Sequence, residues 1–222
     1  MIEPHGGELV NRTAENEKKN ELKNKAKDLP SIKINFDELT AVNNIATGLF
    51  SPIEGFMTKK DYQNVVANIR LADGTVWSIP IILGVTPEEA DNLKKGQDVA
   101  LYFEEDNKLY AILHLEEKYK YDQKKEAKNV YGTKEKEHPG VAQVYERDEI
   151  LLGGKITLIR QIDYNNFDQY RLTPAETRKK IKKKGWDTVV GFQTRNPIHR
   201  AHEYLKNVLW KCRWIIYQSL SG

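Results

Sequence analysis

The chain has 222 residues, of which 39% are apolar and 30% charged, and its 35 basic side chains are nearly matched by 32 acidic ones. That length accommodates one large domain or two small ones, the composition excludes a disordered chain, and so even a balance gives no electrostatic argument for nucleic acid. No apolar run reaches the roughly 20 residues of a membrane helix, MIEPHGGELVNR holds no hydrophobic signal core, and the single cysteine, Cys212, excludes an intrachain disulfide and a cysteine-rich zinc site. A cytoplasmic protein is expected, with no membrane contact.

Along the chain, TAENEKKNELKNKAKD is too polar to bury a face and reads as an exposed helix or a mobile surface segment. SPIEGFM (51–57) carries Pro52 and Gly55 and reads as a structured loop. TKKDYQNVVANIR (58–70) has helical spacing through Tyr62, Val65, Val66 and Ile69. A turn at Asp73-Gly74 then leads into an apolar strand through WSIPIILGV. Thr86-Pro87-Glu88-Glu89 is a helix start, with Thr86 as cap, Pro87 in the first helical position and Glu89 closing a capping box. DVALYF and LYAILHLEE, separated by EEDNK, read as a hairpin. EHPGVAQVY is expected to form an ordered turn around His138, and GGKITLI closes a β-rich stretch near residue 161.

The character changes after Tyr170. Thr173-Pro174-Ala175-Glu176 repeats the capping pattern and opens a helix over TPAETRKKIKKKG that Gly185 ends, with RKKIKKK as its solvated basic face. The strand DTVVGFQT and the helix HRAHEYLKNV follow. Helix, strand, polar loop and helix open an α/β nucleotide-binding sheet, so the expected division is a β-rich domain over 1–168 and an α/β segment over 169–222.

The chemistry concentrates in QTRNPIHRAHEY (193–204). Open α/β sheets bind ligands where a strand ends and a helix begins, and the free N–H groups of that helix favour phosphate or sulfate. Arg195 offers a planar fork for two oxyanion oxygens. Gln193 and Asn196 donate amide hydrogens without adding charge. His199 and His202, three apart, share a helix face. A zinc protease motif is excluded, since it needs histidines four apart with an interior glutamate, and no GxxxxGK[ST] phosphate loop exists. His138 and the PHGG of residues 4–7 read as turn residues before ligands.

The whole string QTRNPIHRAHEY resembles the signature of the ATP sulfurylase (sulfate adenylyltransferase) family, in which QxRNP precedes HxxH, with Ala201 where many nucleotidylyltransferases have Gly. The resemblance runs upstream through TPAETRKKIKKKGWDTVVGF, and more loosely through PHGG, SPIEGFM, WSIPIIL and EHPGV, which look like the family's PUA-like domain. It implies an α+β protein: a β-rich PUA-like domain followed by the first strand and helix of a Rossmann-like nucleotidylyltransferase domain. It further implies that Gln193 and Arg195 bind sulfate and that Gln193, Thr194, Arg195 and Asn196 line the ATP site. Thr194, Arg195 and Asn196 are then counted as catalytic, and His199 and His202 contact the ATP phosphates and stabilise the transition state. The implied reaction converts ATP and sulfate to adenosine 5′-phosphosulfate and pyrophosphate. Mg2+ is carried on ATP, no protein-held metal is expected, and the intact enzyme is expected to be a homo-oligomer.

The resemblance reaches Val208. Read one base out of step with permitted synonymous codons, the following tail yields VDGLFINPLV, which resembles the strand after the HxxH helix in that family. Residues 209–222 are therefore expected to be out of frame after an indel near the codons for Val208 to Lys211, and the chain to be an inactive fragment. The alternative is a stand-alone PUA-like module that binds RNA or a protein partner without catalysis. Its charge balance and the lack of interleaved basic and aromatic residues speak against RNA.

Overall fold

A computed structural model of the chain describes residues 3–194, 197, 199–209 and 215–219, and of these 168, 192–194, 206, 207, 209 and 215–219 for the backbone alone. The described residues divide into two compact units, one over Pro4–Arg171 and the other from Leu172 onward together with Glu3.

In the first unit, α1 (Asn16–Lys25) buries none of its side chains, as its polar sequence requires. β1 (Ser31–Ile34) alternates exposed and buried residues, which marks a strand with one wet face. α2 (Phe36–Ala46) begins at a reciprocal cap. The Asn35 side chain accepts the Glu38 N–H at 3.0 Å, and the Glu38 carboxylate accepts the Asn35 N–H at 2.9 Å. There follow β2 (Gly55–Phe56), α3 (Lys59–Asn68), β3 (Leu83–Val85), α4 (Pro87–Asp91), β4 (Asp98–Phe103), β5 (Leu109–Lys120), α5 (Gln123–Tyr131), α6 (Pro139–Glu146) and β6 (Ile150–Leu158).

The sheet runs β1-β4-β5-β6-β2, with β3 also pairing to β6. Only β1 and β4 are parallel. Residues 110 to 113 of the central strand β5 are buried consecutively, so both faces of the sheet are covered there. The core joins Leu39, Val42 and Ile45 of α2 and Tyr62, Val65 and Val66 of α3 to Leu101, Leu113, Leu115, Leu152 and Ile156 of the sheet. Where β2 meets β6, a Cβ on Gly55 would stand 2.0 Å from the Gly154 carbonyl oxygen and 2.5 Å from the Lys155 Cα, so only glycine permits this approach.

Three expected elements differ. The helix of 58–70 stops at Asn68, because Ile69 takes the left-handed conformation (φ 58) and lies 54% exposed instead of extending the buried face. Its N–H bonds the Val65 carbonyl at 3.0 Å and its carbonyl accepts the Trp77 N–H at 3.0 Å, which turns the chain. In WSIPIILGV only Leu83–Val85 forms a strand, since Pro80 has no N–H to give a ladder. EHPGVAQVY is a helix and not a turn: Pro139 takes a first-turn position, the His138 ring caps it by accepting the Gly140 N–H at 3.2 Å, and Val141 and Val144 are fully buried. No particular element was expected at β1, α2 or α5, and the loop expected over 51–57 contains β2.

The hairpin of β4 and β5 and both predicted capping boxes form as expected. In the second unit, α7 (Pro174–Lys183) starts at Thr173 and Glu176 and stops before Gly185, whose φ of 64 is a left-handed conformation that glycine adopts without the penalty a Cβ brings. β7 (Val190–Thr194), α8 (Arg200–Leu209) and β8 (Ile215–Ser219) complete the unit, with β7 and β8 parallel and Val190 opposite Ile215. α7 has no buried residue, and Tyr204, Leu205 and Val208 of α8 are exposed.

Candidate functional site

Two parallel strands joined by a helix form the crossover unit on which open α/β sheets carry their ligands. β7 delivers the backbone of Gln193 and Thr194 to its C-terminal end, and α8 starts six residues after Thr194. Arg195 and Asn196, the central pair of the expected site, lie outside the described residues, as do the side chains of Gln193 and Thr194.

His199 and His202 are brought together. Their ring centroids are 3.9 Å apart with the planes inclined by 32°. The His199 carbonyl accepts the Glu203 N–H at 3.0 Å, so His199 occupies the capping position of α8. Its Nδ1 accepts the Ala201 N–H at 3.3 Å, and its own N–H reaches Nδ1 of His202 at 3.5 Å. His199 is exposed and His202 half-buried. Two imidazoles stacked at a helix N-terminus, the first of them five residues after the end of a parallel strand, can present hydrogen-bond donors to an anion together with the partial positive charge of the helix.

Two polar clusters in the first unit were not singled out from the sequence. His114 Nδ1 lies 2.6 Å from Asp98 and its Nε2 lies 2.9 Å from the Thr157 hydroxyl, while Lys25 Nζ donates to Asp98 at 2.7 Å. Burial alone would raise the Asp98 carboxyl, but its hydrogen bonds with Lys25 and His114 hold it below the ordinary carboxylate range. The pairing of Asp98 with His114 follows directly from the hairpin register, so correct alignment of DVALYF on LYAILHLEE would have found it. These bonds tie α1 to β4, β5 and β6. The second cluster centres on Glu126, 2% exposed, which accepts the Tyr62 hydroxyl at 2.9 Å and pairs with Arg147 at 3.0 Å. Desolvation, reinforced by the Glu126 charge, pushes the Tyr62 hydroxyl far upward. No local signal in QKKEAKNVY announces a buried carboxylate.

A cavity of about 440 Å³ opens between Pro52, Phe56, Asp61, Leu71, Glu116 and Lys155, with no histidine or arginine in its lining. His5 Nε2 donates to the Val76 carbonyl at 2.8 Å, and His138 caps α6; both hold local structure. Among the described residues no group of three or more His, Cys, Asp or Glu side chains is arranged to hold a metal, and no helix is long and apolar enough to cross a membrane.

Residues 2–161 match the PUA-like domain family, and residues 168–219 match the ATP-sulfurylase family. The second match extends past Val208, where the resemblance read from the sequence ended, and takes in β8. A sulfate adenylyltransferase of Halothermothrix orenii is 71% identical over 206 residues, which are 93% of this chain and 54% of that protein. One from Staphylothermus marinus is 45% identical over 203 residues, 91% of this chain and 52% of that protein. The chain thus spans about half the length of the curated relatives it matches. Among solved structures, the hexameric APS kinase from Thiobacillus denitrificans superposes with a TM-score of 0.77 at 26% identity, covering all of this chain and 40% of that one.

Proposed function

The chain belongs to the ATP-sulfurylase family, with a PUA-like domain leading into the sulfurylase segment, and on that premise we propose that it supplies the oxyanion-gripping strand, loop and helix of a sulfate adenylyltransferase. The observation that carries this reading is the stacked His199–His202 pair at the N-terminus of α8, in the segment that matches the family. In the proposed reaction a sulfate oxygen attacks the α-phosphorus of ATP, forming the new P–O bond as the bond to pyrophosphate breaks. Sulfate brings its own nucleophilic oxygen, so the protein needs only to align the two anions and to offset charge on the transferring phosphorus.

Gln193 and Arg195 are proposed to hold sulfate, and Gln193, Thr194, Arg195 and Asn196 to line the ATP site, with Thr194, Arg195 and Asn196 at the reacting atoms. His199 and His202 are proposed to donate to the phosphate oxygens. Mg2+ enters on ATP in this scheme and offsets part of its charge. The hexameric neighbour supports assembly into a homo-oligomer.

The test joins this chain to the share of the Halothermothrix orenii relative that it does not cover and measures sulfate-dependent release of pyrophosphate from ATP. Turnover that requires sulfate is expected, and Arg195→Ala should lower kcat/KM for sulfate by about 10²–10³, the range for losing one charge-stabilising donor. Pyrophosphate release that ignores sulfate, or unchanged sulfate kinetics in the variant, refutes the assignment.

A further inference from the structure

We propose that the backbone of α8 fixes His199 as its Nε2–H tautomer, with the N–H of Ala201 as the positioning group. The proposal rests on the reading of His199 as a phosphate contact and adds how the ring is prepared for it. Ala201 is the second residue of α8, and its N–H is one of the four at a helix start that have no partner within the helix. That N–H donates to Nδ1 of His199 at 3.3 Å. A nitrogen that accepts carries no proton, so a neutral His199 ring holds its hydrogen on Nε2. The imidazole does here what Ser, Thr, Asn or Asp ordinarily does at a helix start. Turning the ring over would exchange Nδ1 for a carbon and lose the cap.

The same device occurs at the other end of the chain's chemistry. His138 caps α6, and its Nδ1 accepts the N–H of Gly140, again two residues on, at 3.2 Å. The first unit therefore contains a histidine set by the same geometry with no assigned part in the reaction, and it serves as an internal reference. The chemical consequence is specific to His199. A ring held as Nε2–H donates to an oxyanion while neutral, so its grip on a phosphate oxygen does not depend on the ring gaining a proton.

Two-bond 15N–1H correlation spectra of the imidazoles, recorded on the intact chain under mildly alkaline conditions, read the tautomer directly and need no substrate. The expected spectrum has a pyridine-like Nδ1 and a pyrrole-like Nε2 for both His199 and His138. A protonated Nδ1 at His199, or the tautomer mixture of an unconstrained imidazole there, overturns the proposal. Ala201→Pro deletes the N–H at a first-turn position where proline is tolerated. It should move His199 toward the mixture, leave His138 unchanged and keep the Cα shifts of α8 helical. A His199 tautomer that survives this change with α8 intact also overturns the proposal. Adding inorganic tripolyphosphate to the same sample tests the phosphate reading separately: a shifted His199 Nε2 beside an unmoved His138 supports it. An unmoved His199 counts against the phosphate reading while leaving the tautomer assignment intact.

Discussion

Replacing Glu38 by glutamine removes a charge from the start of α2 without removing the cap, since an amide oxygen accepts the Asn35 N–H as the carboxylate does. Burial, opposed by that backbone hydrogen bond and reinforced by Glu104 and Asp148, lifts the Glu38 carboxyl from 4.5 to about 7. The folded chain therefore holds this proton more tightly than the unfolded chain, and stability falls as pH rises from 4.5 to about 7. At 1.36 kcal/mol per pH unit the full shift corresponds to about 3 kcal/mol. Solvent reaches part of the side chain, so a loss of about 1–2 kcal/mol is expected. Glu38→Gln should match the parent at the acidic end of this window and exceed it by about 1–2 kcal/mol at its alkaline end and above. Urea denaturation across that window measures the difference, with the slope on urea held equal between the two proteins. Glu104, Asp148 and Arg147 surround the site in both proteins and cancel in the comparison. Parallel pH profiles for parent and variant would refute the reasoning, and so would a variant less stable at the alkaline end.

Glu126→Ala strands the Arg147 guanidinium and the Tyr62 hydroxyl in the interior. With Arg147 about a quarter exposed, a loss near the lower end of the range for a broken buried pair, about 3 kcal/mol, is expected in urea denaturation. Glu126→Gln, whose amide oxygen can still accept from Arg147 while its NH2 donates to the Tyr62 oxygen, should cost less. Gly55→Ala drives a methyl into the β6 backbone. It should cost about 3 kcal/mol, read as a drop in the thermal midpoint, and a midpoint unchanged from the parent would show that β2 and β6 can separate freely.

Local rules carried the reading wherever the physics was local. The capping boxes at Thr86 and Thr173 depend on side chains three residues apart, so they form as the sequence spells them. The β4–β5 hairpin and the β7–α8 succession were legible from alternation, helical spacing and turn residues. Reading failed where a distant partner decided. His138-Pro139-Gly140 is good turn chemistry, yet Val141 and Val144 find an apolar surface and the helix prevails, with proline suited to its first turn. WSIPIIL has the apolar content of a strand, but Pro80 interrupts the ladder and only Leu83–Val85 finds the edge of β6.

For the candidate site, the residue types of QTRNPIHRAHEY and their spacing led to the expectation of a strand, loop and helix suited to an oxyanion, because phosphate chemistry demands those donors and a free helix N-terminus, and the strand and the helix form. Sequence could also place His199 and His202 on one face. Only the tertiary structure set their rings 3.9 Å apart with an Ala201 N–H against Nδ1 of His199, since the start of a helix is fixed by where its hydrogen bonds close. The burial of Glu126 was likewise beyond the sequence: its partners lie 64 and 21 residues away, and a carboxylate is kept from water only by groups the fold brings to it.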